Sequence, residues 1–150
     1  MRTVVAFVLA VAATWLVGVT ASSQLVLGNL VEMGLSVPMD VRLSATLHDL
    51  GSMGMTYVPI VTIAFLVAFS LARLFAKFVP HLRSLAYVAA GFAALWGIDF
   101  LLSLPFNTHM LPVTRTGIGL ISQCIAGAIG GFVFVTVVTP PTPQPTKYPA

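Results

Sequence analysis

Long stretches without a formal charge succeed one another along the chain, separated by short polar segments. Residues 3–31 and 50–72 carry no charge, 84–105 carry only Asp99, and 116–146 again carry none. Crossing the hydrocarbon of a bilayer takes about 20 mainly apolar residues in helical form. These runs predict four spans, near residues 3–28, 56–78, 84–104 and 113–138. They are apolar all round, whereas the strands of a membrane barrel alternate apolar and polar at every second residue. The expected fold is all-α, a polytopic membrane protein built as a four-transmembrane-helix bundle. A long outer loop, 29–55, is expected to contain a short interfacial helix.

Within that loop Pro38 and the alternation of "VPMDVRL" suggest an extended entry. The following "SATLHDL" has room for two helical turns ended by Gly51 in a left-handed cap, with Leu43, Leu47 and Leu50 on one face. Such a helix would lie on the membrane surface. Tyr57 and Pro59 then open the second span, as an interfacial aromatic and a first-turn proline. Small residues recur every fourth position in the first span (Ala10, Thr14, Gly18, Ser22) and in the third (Ala86, Ala90, Ala94), spacing that admits close helix approach. In the fourth, Arg115, Gly119, Ser122, Ala126 and Gly130 share a narrow arc expected to face protein. Gly127 and Gly131 add a GxxxG pair that suits either the bundle or a homodimer. Trp15, near the middle of its span, is expected to fill bundle space. The segment 139–150, with five prolines in "PPTPQPTKYPA", reads as a disordered tail.

Composition supports the membrane assignment. Hydrophobic residues make up 58% of the chain and charged ones 7%, against roughly a quarter in average proteins. Mean hydropathy is +1.01. Lys and Arg concentrate in cytoplasmic loops. With the amino terminus inside, Arg2, Arg73, Lys77, Arg83 and Lys147 fall on the cytoplasmic side and Arg42 and Arg115 outside. Glu32, Asp40, Asp49 and Asp99 all fall on the outer half. The expected location is a bacterial inner membrane, with both termini cytoplasmic and loops 29–55 and 105–112 periplasmic. The pI of about 9.5 is thus a matter of orientation and does not call for a nucleic-acid partner. Residues 1–21 also resemble a secretory signal ending at Val19-Thr20-Ala21, but the apolar stretch exceeds the length of a typical signal and continues in "LVLGNLV", which favours a retained span.

The few polar groups define the candidate chemistry. A carboxylate at the centre of a spanning helix costs about 2.5–3.5 kcal/mol on insertion scales, and such groups usually pair or serve function. Asp99 is expected to pair with Arg115, which enters the fourth span from the same side, with Gln123 as a polar neighbour two turns deeper. Beyond Gln123 the fourth span is apolar, so a conduction path would have to form between protomers. Met33, Met39, Met53, Met55 and Met110 are all placed outside, as are His48 and His109. Thioether and imidazole together suit Cu(I), and His48, Met53, Met55, His109 and Met110 are the candidate copper ligands. His48 and Asp49, being adjacent, would point about 100° apart on a helix and would not pair with each other. Cys124 is a small apolar filler by expectation.

An aspartyl-protease arrangement would need two carboxylates close enough to share a proton. In size, span number and outer-side acids the chain resembles the lipoprotein signal peptidase family, which would imply membrane proteolysis by Asp49 and Asp99. That family places its second catalytic aspartate after Phe-Asn, and "GIDFLLSLPFNTHM" has no acid there. The leading expectation is a small non-enzymatic inner-membrane protein, an accessory subunit or a homo-oligomeric transport element. Its partners would be lipid, further copies or other membrane subunits. Copper handling at the periplasmic face is the alternative.

Overall fold

In a computed structural model the structure describes residues 1–106 and 117–139, and among them the chain is helical with no strand. Helix α1 runs Arg2–Glu32, α2 Met39–Phe78, α3 Arg83–Phe106 and α4 Gly117–Val138, with a single 3-10 turn, Pro80–Leu82, between α2 and α3. All four are long and apolar enough to cross a membrane. They form a ring: α1 packs on α2 and α4, and α3 packs on α2 and α4. One end of the ring carries Arg2, Arg73, Lys77 and Arg83; toward the other lie Glu32, Asp40, Asp49 and Asp99. We call these the basic and the acidic end.

The long outer loop and its separate interfacial helix are not observed. Only residues 33–38 connect α1 to α2, and residues 39–55 are the opening turns of α2 itself. The turn is made at Gly34, the positive-φ glycine of the described chain at φ 86°. The Gly34 N–H donates to the Val31 carbonyl at 2.9 Å and the Leu35 N–H to the Leu30 carbonyl at 3.2 Å. This is a Schellman closure, and it needs a residue without a Cβ at the left-handed position. Gly51, expected to end a helix, instead lies inside one.

The reason is a stripe that never breaks. Thr46, Leu50, Gly54, Tyr57, Val61, Phe65, Phe69 and Ala72 follow at three- and four-residue intervals, each buried or half-buried. One face of α2 therefore stays against the bundle from Thr46 to Ala72, which outweighs the cost of about 1 kcal/mol for each interior glycine. Forty residues of helix extend ~60 Å, twice the hydrocarbon thickness of ~30 Å. The first turns of α2 and the last turns of α1 pair as an antiparallel hairpin at the acidic end.

Between helices in a membrane, lipid tails compete on equal terms with side chains, so association depends on close packing and on hydrogen bonds. Both are present. A Cβ at Gly91 would overlap the Gly127 carbonyl, one at Gly127 the Gly91 carbonyl, and one at Gly131 the Tyr87 carbonyl. The GxxxG pair therefore faces α3 within the bundle. On the α1 side, a Cβ at Gly130 would overlap the Thr14 hydroxyl. The basic half of the interior is an aromatic plug centred on Phe69, whose ring lies 4.7 Å from Phe65, 4.6 Å from Phe134 and 5.7 Å from Tyr87.

Candidate functional site

Polar side chains inside the bundle gather in the half nearer the acidic end, where α1, α2 and α4 meet. The expected stripe Ala10, Thr14, Gly18 and Ser22 is buried on α1. Gly18 lacks a side chain and so lets two others in, since a Cβ there would stand 2.7 Å from the Tyr57 hydroxyl and 3.0 Å from Gln123 Oε1. Gln123 on α4 is 2% exposed and fully engaged. Its Nε2 donates to the Gly18 carbonyl at 3.0 Å and to Ser22 Oγ at 2.5 Å, while its Oε1 accepts from the Tyr57 hydroxyl at 2.7 Å. Ser22 in turn donates to the Gly18 carbonyl at 2.9 Å. Three helices are tied at one level.

A second set of bonds lies nearer the acidic end, between α1 and α2 alone. Ser23 donates to Asp49 Oδ2 at 2.5 Å, and Gln24 Nε2 donates to Thr46 Oγ1 at 3.0 Å. The Arg42 guanidinium reaches Gln24 Oε1 at 3.5 Å. Deeper, Thr14 Oγ1 donates to its own helix at Ala10 and across to the Ala126 carbonyl, at 3.0 and 3.3 Å. Trp15 packs on the Gly54 face of α2, and its buried indole N–H has no partner among the described residues.

Of the groups singled out from sequence, Gln123 is the hub of the first cluster, with partners the sequence did not supply. Tyr57 is not an interfacial anchor but the donor that closes the cluster, and Ser22 and Gly18 stood out only as small residues. Asp99 is half-buried on α3, within electrostatic range of Cys124 on α4. Its expected partner Arg115 lies outside the described residues, as do His109 and Met110. Asp49 accepts a hydrogen bond from Ser23 of α1.

The candidate copper ligands on α2 are only partly brought together. His48 and Met55 are exposed and share one stripe, but seven residues of helix separate them by ~10 Å along the axis. Met53 points ~140° away from His48. One ion held by this helix alone would engage one of the three. Among the described residues no group of three or more His, Cys, Asp or Glu side chains forms a metal site.

A different feature occupies the basic end. Below the Trp15–Gly54 contact α1 and α2 enclose a cleft of about 710 Å³, with Phe7 on one wall, Leu66 and Phe69 on the other, and Tyr87 and Phe134 on its floor. Arg73, Lys77 and Arg83 stand at its rim. Arg2 is used differently, its Nε donating to the Val137 carbonyl in the last turn of α4 at 2.8 Å. No protein-family model, curated protein or solved structure matches the chain.

Proposed function

We propose that this chain is a non-enzymatic component of a bacterial inner membrane, with both termini cytoplasmic, that works through its surface. It would serve as an accessory subunit of a membrane complex or as a self-associating transport element. The orientation rests on the positive-inside rule, which sets the basic end in the cytoplasm and the α1–α2 hairpin in the periplasm.

The observation that supports this reading is how the interior polar groups are spent. Gln123, Tyr57, Ser22 and the Gly18 carbonyl satisfy one another, and below them the interior is closed by Phe65, Phe69, Tyr87 and Phe134. Ion or proton passage through one protomer would need polar steps across that plug. What remains for interaction is outside: helix faces toward lipid, and a hairpin past the span that exposes Leu43, Leu47 and Met39. Apolar side chains on a segment beyond the hydrocarbon are suited to contact with another protein.

The test is the assembly state in a native-like bilayer. Mass measurement of the intact protein released from lipid discs should give a defined oligomer or a complex with other subunits. A lone monomer, both purified and captured from its own membrane, would overturn the proposal.

A further inference from the structure

The cleft at the basic end has features that the assembly reading does not use. Apart from Thr3 and Ser70 its walls and floor are aliphatic and aromatic, with Phe69 and Phe134 each 5% exposed and Tyr87 4%. Its rim carries three cationic side chains, Arg73 and Lys77 on α2 and Arg83 at the start of α3. Among the described residues, no hydrogen bond or ion pair engages any of these three. All four acids of the chain belong to the other end. Arg2, a further cation at this level, is already held by α4.

An apolar slot between two helices, with cations at its mouth that no described residue neutralises, is complementary to one ligand chemistry. We propose that the cleft binds an anionic phospholipid. The phosphate would sit among Arg73, Lys77 and Arg83, and the upper part of an acyl chain would lie along Phe7, Leu66 and Phe69. The geometry fits at three points. Residues 3–7 of α1 and 66–77 of α2 both line the slot, so a lipid would enter between these two helices from the bilayer. Its mouth lies where α2 ends and α3 begins, the level of the headgroups for a helix that has just crossed. Its volume of about 710 Å³ falls within the range of roughly 300–1,000 Å³ that ligand pockets occupy. Clustered Lys and Arg attract anionic lipid generally, at about 1 kcal/mol for each residue near the surface. The cleft adds a place for the chain, and hence retention of a single molecule.

The experiment uses the full-length protein in lipid discs of phosphatidylcholine containing phosphatidylglycerol, with intact-mass detection of what remains bound after release. One phosphatidylglycerol should be retained in preference to phosphatidylcholine. Replacing Arg73, Lys77 and Arg83 by Gln one at a time should weaken that preference about fivefold each, the factor equivalent to about 1 kcal/mol. Arg42→Gln, at the opposite end, should leave it unchanged. Inorganic phosphate and the deacylated headgroup should not compete at concentrations comparable to the lipid. Because variants can fail to fold, the wild-type protein is also irradiated with phosphatidylglycerol bearing a photoreactive group near the top of its acyl chain. Adducts should concentrate on residues 3–7 and 66–77. Adducts spread evenly over all lipid-facing helix surfaces, an undiminished preference in the triple Gln variant, or equal competition by free phosphate would each overturn the proposal.

Discussion

Gln123 is the side chain on which the interior turns, and its value is measurable. Leucine at that position keeps the bulk but leaves the Gly18 carbonyl with Ser22 alone and the Tyr57 hydroxyl with no acceptor. Leaving a buried polar group unpaired costs about 1–3 kcal/mol. Gln123→Leu should lower the unfolding midpoint in mixed micelles accordingly, and Tyr57→Phe, which leaves only Gln123 Oε1 without its donor, should cost less, about 1 kcal/mol, the low end of that range. A larger loss for Tyr57→Phe would contradict the arrangement. Glycines provide the opposite contrast. A Cβ at Gly28 meets nothing within 4 Å, so Gly28→Ala should stabilise by ~0.5–1 kcal/mol, the gain of removing glycine from a helix interior. Gly91→Val would drive a side chain into the Gly127 backbone and should cost upwards of ~2 kcal/mol by the same assay. An amide in an otherwise apolar run made Gln123 visible in the sequence. Its partners were not visible, because a tyrosine near a span's end reads as a surface anchor until the rotation of its helix is known. Gly91 is hidden for the same reason, since alanines at regular spacing mark the neighbouring face.

At the level of the element, α2 is the instructive case. Glu32, Asp40, Arg42 and Asp49 made the segment between the first two spans look like a loop. Polarity of that kind reports contact with water, and a helix that leaves the bilayer meets water without ceasing to be a helix. The three- and four-residue spacing from Thr46 to Tyr57 was the contrary signal, and Gly34, not Gly51, was the glycine that ends a helix. Two measurements check the continuity. In a Cys124→Ala background, cysteines at 23 and 49 should be bridged by a short bifunctional thiol reagent, since the Ser23 and Asp49 side chains face each other across α1 and α2, while cysteines at 23 and 48 should not. A surface loop would cross-link both pairs alike. Gly34→Ala should destabilise the hairpin by ~1–2 kcal/mol, the cost of a Cβ in the left-handed region.

For the whole molecule, the asymmetry of charge was legible from sequence and so was the number of long apolar segments, because both follow from composition along the chain. The order of the helices around the ring was not, as it depends on which small residues meet which. Thiol labelling in sealed membranes should place Lys77→Cys and Asp40→Cys on opposite sides, and labelling of both from one side would undo the topology. The ring also has a consequence for biogenesis. Helix α4 lies between α1 and α3 and supplies the glycines on which both rest, yet it is the last of the four to be made. Until the ribosome has delivered it, the first three segments wait in lipid with Thr14 and Ser22 lacking their final neighbour. A chain halted before residue 117 would therefore lack the helix on which α1 and α3 both pack, so truncation there should abolish the bundle and not merely shorten it.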